Sequence, residues 1–208
     1  MSALAAFTHP RRLLDLVEQV VVLALYSWLV FRLWPNEFSA SNWYPLLILL
    51  SEGLVVLLLL IRRPTERIST RGRDWALAAG GTFVVLFVDR GGPPLMGPLG
   101  ALLMLLGLAI HVGAKLSLRR SFGLVAANRG VKVGGLYRLV RHPMYAGYML
   151  SHAGYLLVAP SLWNAAVYAV GWAFLVARIY AEERVLSEDP AYHAFKAKVR
   201  YRLLPGLF

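Results

Sequence analysis

The sequence contains no cysteine. Disulfides, thiolate metal ligands and a thiol nucleophile are therefore excluded. Acidic residues are also few, since 11 Asp and Glu stand against 22 Lys and Arg and leave a net charge of +11. A basic excess is typical of nucleic-acid-binding proteins, but equally of the cytoplasmic loops of membrane proteins. Because long apolar blocks dominate this chain, we favour the second interpretation and expect no nucleic-acid partner.

Long polar stretches are scarce as well. Apolar residues make up 58% of the chain and its mean hydropathy is +0.57, whereas a soluble domain is nearer half apolar. The first block lacks a small-residue cleavage site, so we expect it to remain as a span and not to be removed as a signal peptide. Six blocks approach the roughly 20 residues that a membrane span needs. They are 13–33, 44–61, 75–88, 95–118, 144–159 and 162–180.

The distribution of basic residues predicts the orientation of these blocks. With the N-terminus placed inside, 20 of the 22 basic residues fall on the inner side and only Arg32 and Arg90 fall outside. Cytoplasmic loops of membrane proteins carry such an excess. We therefore predict an all-α, multi-pass integral membrane protein with about six transmembrane helices and with both ends on the cytosolic side.

Two inner segments, 119–141 and 181–208, are too long to be simple connectors. They flank the last two blocks, which Ala159-Pro160-Ser161 joins in a tight outer turn. We predict two parts, four N-terminal spans over 1–118 and a functional core over 119–208. The pocket of this core is expected on the cytosolic side, between the last two helices, the preceding loop and the C-terminal helix.

The segment Gly134–Tyr145 is the first candidate for chemistry. Pro143 suits the first turn of a helix, where its missing N–H costs nothing. His142 then lies near the N-terminal cap, where free N–H groups favour an anion or a lone pair. Gly134 and Gly135 permit close approach of the backbone to a ligand. On spacing alone, a basic interfacial loop before a proline-started helix is the simpler interpretation.

The end of the last block and the tail form the second candidate. Arg178 and Glu182 are four residues apart and share a helix face, as an exposed ion pair also would. The tail 190–205 has the pattern of a basic amphipathic helix that ends at Pro205. Such a helix can cover a pocket with its aromatics or lie on anionic headgroups.

An ordered set of motifs resembles the isoprenylcysteine carboxyl methyltransferase and phospholipid methyltransferase superfamily of integral membrane proteins. The resemblance covers roughly the last ninety residues. The join between Leu186 and Tyr192 departs from the family pattern, and the stretch Arg129–Lys132 lacks a distinctive motif. The motifs are Ser121-Phe122-Gly123, Gly135-Leu136-Tyr137, Arg141-His142-Pro143-Met144-Tyr145, Glu182-Glu183-x-x-Leu186, Tyr192 and Leu204-Pro205.

The resemblance implies methyl transfer from S-adenosylmethionine to a lipid-like acceptor, which is an isoprenoid carboxylate or a lipid amine or hydroxyl. It implies catalytic roles for His142, Arg178 and Glu182, with Arg178 on the acceptor side. The matching cofactor-binding positions are Phe122, Arg129, Gly130, Val131, Lys132, Tyr137, His142, Pro143, Met144, Tyr145 and Glu182. The chemistry agrees with these residue types, because such a transfer needs positioning of the acceptor and no covalent nucleophile on the enzyme.

Three ionisable residues, Glu52, His111 and His152, lie inside predicted spans. Such residues are costly in lipid and are therefore functional candidates. We expect Glu52 and His152 to line the acceptor path, although each can instead hydrogen-bond a neighbouring helix. No metal site is predicted.

Two other functions remain open from the sequence. The same helical fold can serve a membrane reductase that binds a nicotinamide cofactor. A non-enzymatic haem or quinone protein would use His111 and His152, since two facing imidazoles can ligate haem.

Overall fold

The computed structural model describes residues 10–33, 53–54, 56–63, 65, 67–89 and 91–208. These ranges contain short 3-10 turns and one isolated bridge between Ile68 and Ala127, and no β-strand within them. The all-α prediction is therefore confirmed for the described residues. The six named helices are α1 (Pro10–Leu33), α2 (Gly72–Phe83), α3 (Gly97–Leu118), α4 (Pro143–Val158), α5 (Leu162–Leu186) and α6 (Pro190–Lys198).

Two segments of the described chain are long and apolar enough to cross a membrane. They are Gly97–Ser121, which contains α3, and Leu162–Leu186, which is α5. The helix α4 has 16 residues and is therefore about 24 Å long, shorter than a hydrocarbon core of about 30 Å. The predicted count of six spans and the inside position of both ends remain predictions.

Glycines let α3 and α4 pack backbone against backbone. A Cβ atom added at Gly147 would meet the backbone of Gly107 and His111, and one added at Gly100 would meet the carbonyl of Gly154. Small residues of this kind allow close approach of helices in membranes. The predicted tight turn after α4 is present, but α4 packs mainly along α3 while α5 packs along α2. The start of α4 is thus held beside the end of α3.

Two loops, which contain residues 63–69 and 120–128, run alongside each other. The N–H of Arg63 donates to the carbonyl of Arg120 at 2.8 Å, and the N–H of Ser69 donates to that of Ala126 at 2.9 Å. Further along, the N–H of Asn128 donates to the carbonyl of Arg67 at 2.9 Å. This pairing fixes the backbone of 120–128 below the end of α3.

Four buried charges, which we call the α1 ion cluster, anchor this loop to α1. Arg62 pairs with Asp15 at 2.9 Å and with Glu18 at 2.8 Å, and Arg129 also pairs with Asp15. Glu18 Oε1 accepts the backbone N–H of Leu124 at 2.5 Å and that of the next residue at 3.0 Å. The two carboxylates and the two guanidinium groups of this cluster therefore neutralise each other in the buried interior.

The C-terminal segment closes over the start of α4. The N–H groups of Arg141 and His142 donate to the carbonyls of Tyr201 and Arg202 at 2.9 and 2.8 Å. Earlier in the chain, the side chain of Asp189 caps the N-terminus of α6 by accepting the N–H of Ala191. The tail is thus tied by its backbone to the His142 segment.

Candidate active site

A cavity opens where the loop after α3, the start of α4, the end of α5 and the helix α6 meet. Its empty volume is about 760 Å³, including space open to solvent. Residues from all four parts of the chain line it. They are Leu118, Ser121, Gly123, Val125, Ala127, Arg129, Gly130, Val131, Lys132, Tyr137, Arg141, His142, Met144, Tyr145, Glu182, Leu186, Tyr192 and Phe195.

Glu182 contributes a carboxylate to this cavity, and its side chain is 20% exposed. Its Oε1 accepts the hydroxyl of Tyr145 and the Nε–H of Arg178, the latter at 3.2 Å. Its Oε2 lies 3.8 Å from His142 Nδ1. Oε2 is therefore the less occupied oxygen and can still bind a cation or a hydroxyl.

The adjacent Glu183 points to a different environment and its side chain is buried. Its Oε1 lies 3.3 Å from His142 Nε2 and 3.2 Å from Arg141 Nε. Its Oε2 accepts two hydrogen bonds from Arg202, at 3.0 and 3.1 Å. Glu183 therefore ties α5 to the start of α4 and to the C-terminal segment, and the His142 ring bridges the two glutamates.

Most of the predicted cofactor-binding residues line the cavity, with two exceptions. Phe122 is 2% exposed and belongs to the hydrophobic core. Pro143 is buried at the first turn of α4, as its missing N–H predicts. His142 occupies the N-cap position, but its side chain forms no cap hydrogen bond and faces the two glutamates instead.

The stretch from Arg129 to Lys132 lines one wall of the cavity, but the environments of its residues differ. The guanidinium of Arg129 is held in the α1 ion cluster and reinforces the wall from behind. Gly130 has a φ of +99°, a conformation that glycine adopts without strain. Its N–H donates to the side chain of Asn128 at 2.9 Å. Lys132 is half-buried at the rim of the cavity.

Aromatic rings form the inner wall. Tyr145 is 1% exposed, its ring stacks on that of His142 at 5.8 Å, and the Arg178 guanidinium lies 5.4 Å from its centroid. Tyr137, from the 3-10 turn Gly135–Arg138, is also buried. Burial, followed by the negative charge of Glu182, raises the pKa of Tyr137, so its hydroxyl stays protonated and can donate a hydrogen bond.

The predicted acceptor-side residues lie further into the helices or outside the described residues. Arg178 is one helical turn inward from Glu182 and its side chain is 6% exposed. His152 lies two turns inward from Tyr145, stacks on Tyr168 at 4.4 Å and accepts the indole N–H of Trp172 at 3.2 Å. Glu52 lies outside the described residues.

His111 has a similar aromatic environment. Its ring lies 4.8 Å from that of Tyr148, and its Nδ1 has no hydrogen-bond partner in the structure. Within the described part of the chain, no three His, Asp or Glu residues cluster as metal ligands.

The C-terminal helix was expected to help form the pocket, but the predicted site residues included neither of its two aromatic residues that line the cavity. Tyr192 and Phe195 lie three residues apart on one face of α6, are both nearly fully buried, and cover the cavity. The Asn128 side chain donates to Asp189 at 2.9 Å and so holds the start of α6 against the loop. The spacing of the aromatic residues in the tail could have identified them from the sequence. That spacing alone does not distinguish a helix that covers a pocket from a helix that lies on lipid headgroups.

Chemically, the cavity combines one available carboxylate oxygen, stacked aromatic rings and a cation behind them. Aromatic faces attract cations and accept planar ring systems. A carboxylate can bind an ammonium or a pair of hydroxyls. The site therefore suits a ligand with a planar aromatic part and a positive charge.

Comparison with known proteins finds two similarities. Residues 97–191, somewhat less than half of the chain, match the phospholipid methyltransferase family. No match is found among curated proteins. One similar solved structure is that of the eukaryotic intramembrane Ras methyltransferase, an isoprenylcysteine carboxyl methyltransferase. It is 17% identical, covers 92% of this chain and 85% of its own, and has a TM-score of 0.49.

The matched residues contain α3, α4, α5 and the start of α6, which together surround the cavity. They include the His142 segment and both glutamates. Over these residues, the predicted resemblance to phospholipid methyltransferases is confirmed.

Proposed function

We propose that the protein transfers a methyl group from S-adenosylmethionine to an amphiphilic acceptor that reaches the cavity from the bilayer, at the cytosolic ends of the helices. The observation that carries this proposal is the available Oε2 of Glu182 beside the stacked rings of His142 and Tyr145. The family match over the same residues supports it.

The residues of the cavity fit the donor. S-adenosylmethionine supplies a methyl group on a cationic sulfonium. Tyr137 and Tyr145 offer faces for the adenine or the sulfonium. Glu182 offers a carboxylate for the ammonium or the ribose hydroxyls, and His142 offers a ring nitrogen to a polar group of the donor. Gly130, Val131 and Lys132 supply the opposite wall, with Met144 and the buried Phe122 and Pro143 as support.

The acceptor side lies toward the membrane. Arg178 is one turn inward from Glu182 and can hold an anionic group of the acceptor. His152, and Glu52 outside the described residues, are further candidates for the acceptor path. The enzyme contributes positioning, which alone can supply several kcal/mol, and excludes water with the rings of Tyr192 and Phe195.

Two measurements on the purified protein in detergent test the proposal. Calorimetry should detect binding of S-adenosylhomocysteine, and tritium should pass from labelled S-adenosylmethionine into a lipid extract. Glu182→Ala and His142→Ala should weaken this binding while circular dichroism stays helical, and Glu188→Ala, at an exposed position just beyond α5, should not change it. Unchanged affinity in both site variants contradicts the proposal.

Thermal stabilisation by NADPH and not by S-adenosylhomocysteine would support the reductase instead.

A further inference from the structure

The segment 201–208 folds back on itself as a closed turn. The N–H groups of residues 202–204 all donate to the carbonyl of Phe208, at 2.8 to 3.1 Å, and the N–H of Leu207 donates to the carbonyl of Leu204 at 3.1 Å. Backbone groups that are paired in this way do not need water as a partner. The turn can therefore lie against lipid as well as against solvent.

This turn lies beside α5 and not beyond its end. The ring centroid of Phe208 is 6.4 Å from that of Tyr180, and the Arg202 guanidinium lies 5.1 Å from both centroids. Tyr180 precedes the last residue of α5 by six residues, or about 9 Å along the helix. Counted from Leu162, a hydrocarbon core of about 30 Å takes about 20 residues of helix and ends near Glu182. The turn is therefore at the boundary between hydrocarbon and headgroups.

Apolar side chains are exposed at this depth. Leu204 is 53% exposed, Leu207 is 80% exposed and Tyr201 is 39% exposed. Leu139, which is 65% exposed, precedes the segment that the N–H of Arg141 ties to the carbonyl of Tyr201 at 2.9 Å. Exposed apolar residues that gather on adjoining segments mark protein or membrane contacts. Their depth beside α5 favours the membrane.

Exposed cations border these side chains. Arg138, Lys198 and Arg200 are exposed. The two backbone hydrogen bonds join 141–142 to 201–202 in the same chain direction, so Arg138 and Lys198 each lie three residues before the pairing. Neither 129–141 nor 190–208 contains an Asp or a Glu. The positive charge is therefore not neutralised within the two segments, and it complements a negative surface.

We propose that this surface docks on anionic phospholipids. We call it the interfacial patch, and it consists of Leu139, Tyr201, Leu204 and Leu207 with Arg138, Lys198 and Arg200. Its leucines enter the boundary between acyl chains and headgroups, and its cations bind headgroup phosphates, as in other amphipathic membrane-binding surfaces. The inference rests on the membrane placement in the proposed function, and adds a lipid that is neither donor nor acceptor.

Docking of the interfacial patch also supports the cavity. The backbone of the same segment accepts the N–H groups of Arg141 and His142, and Arg202 binds Glu183 at 3.0 Å. The segment follows directly on α6, whose Tyr192 lines the cavity. An anionic bilayer that holds the patch therefore stabilises the folded arrangement around the cavity.

The depth of the patch can be measured with a single label, because the chain contains no cysteine. Leu207→Cys and the exposed control Glu188→Cys are labelled with bimane in nanodiscs of phosphatidylcholine and phosphatidylglycerol. A nitroxide near the headgroup end of the acyl chain should quench the label of Leu207→Cys, whereas aqueous iodide should quench that of Glu188→Cys. Quenching of the Leu207→Cys label by iodide and not by the lipid nitroxide overturns the inference.

The preference for negative lipid is tested by thermal unfolding. Phosphatidylglycerol should raise the Tm of wild type above its value in phosphatidylcholine alone, and high salt should abolish the rise. Lys198→Gln/Arg200→Gln should lower the Tm by about 4–8 °C in the anionic nanodiscs, the effect of two surface cations in a chain of this size, and leave it unchanged in neutral ones. Lys198→Arg/Arg200→Lys should behave as wild type.

Two outcomes of the unfolding experiment overturn the inference. One is a Tm of wild type that does not depend on phosphatidylglycerol. The other is an equal rise produced by inorganic phosphate in neutral nanodiscs, because a free anion site would then replace the lipid surface. Neither readout uses the methyl donor. Failure of the proposed function is therefore distinct, since wild type would then bind no S-adenosylhomocysteine whatever its lipid dependence.

Discussion

Two groups of buried charges in this protein differ in how completely they are paired. In the α1 ion cluster, Arg62 and Arg129 face Asp15 and Glu18, and a Glu18 oxygen also accepts two backbone N–H groups. On the cavity side, Arg178 pairs with Glu182, whereas the buried Lys115 of α3 has no hydrogen-bond partner among the described residues.

The difference indicates different roles. Buried polar groups in folded proteins are almost always paired, so an exception calls for an explanation. The complete pairing of the α1 ion cluster explains how the loop 120–130 is fixed behind the cavity, and needs no ligand. For Lys115, no described residue supplies such a partner.

The largest expected effect comes from breaking the complete cluster. Glu18→Gln leaves Arg62 with one acid partner and removes the charge that the N–H groups of Leu124 and Val125 face. Removal of one partner from a buried ion network costs about 3–5 kcal/mol. We expect a markedly lower Tm in detergent, whereas Glu188→Gln, at an exposed position, should leave it unchanged. Equal Tm values for the two variants would show that the cluster does not hold the loop.

The next effect separates the two adjacent glutamates. Glu182→Gln should weaken binding of S-adenosylhomocysteine about 10- to 100-fold, since a hydrogen bond to a charged group is lost, and should lower Tm less than Glu183→Gln, because the amide oxygen can still accept the single hydrogen bond from Arg178. Glu183→Gln should instead lower Tm, because Arg141 and Arg202 would lose their shared partner. Calorimetry and thermal unfolding on both variants check this division. The reverse pattern would exchange the roles assigned to the two carboxylates.

A smaller effect should follow from loosening the contact between α3 and α4. Gly147→Ala places a Cβ against the backbone of Gly107 and His111, and overpacking of this kind costs about 1–3 kcal/mol. Thermal unfolding in detergent should therefore show a lower Tm. Gly72→Ala, which meets nothing within 4 Å, is the matched control. An unchanged Tm in Gly147→Ala would show that the close approach of α3 and α4 does not stabilise the fold.

The smallest effect concerns the exposed cap of α6. The hydrogen bond from Asn128 lowers the pKa of Asp189 from its ordinary value of 3.8. The ionised carboxylate therefore adds stability that is present above pH 3.8 and is lost as the pH falls through the lowered pKa. Asp189→Asn should remove this dependence with little effect at pH 7, because Asn also caps helices. Thermal unfolding between pH 2 and pH 7 provides the measurement. A difference that persists unchanged across this range would contradict it.

Part of this arrangement could be predicted from the sequence. The apolar blocks gave α3 and α5 directly, and Pro143 predicted the start of α4. The family motifs predicted that His142 and Glu182 lie together, and in the structure they are 3.8 Å apart. Local patterns suffice here because each depends on residues close in the chain or on a familiar order of motifs.

The rest depends on contacts between distant residues. Asp15 and Glu18 share a helix face, but nothing local shows that their partners lie at Arg62 and Arg129. Arg129 therefore resembled a cofactor ligand, although its guanidinium belongs to the α1 ion cluster. Lys115 resembled an ordinary basic residue at a membrane interface, and only its burial shows that it is unpaired.

The most direct test of the account is a structure of the protein with S-adenosylhomocysteine in nanodiscs. The account predicts density for the ligand in the cavity, with a polar group at Oε2 of Glu182 and its sulfur facing Arg178. Density at another surface, or a ligand separated from both His142 and Glu182, would contradict it.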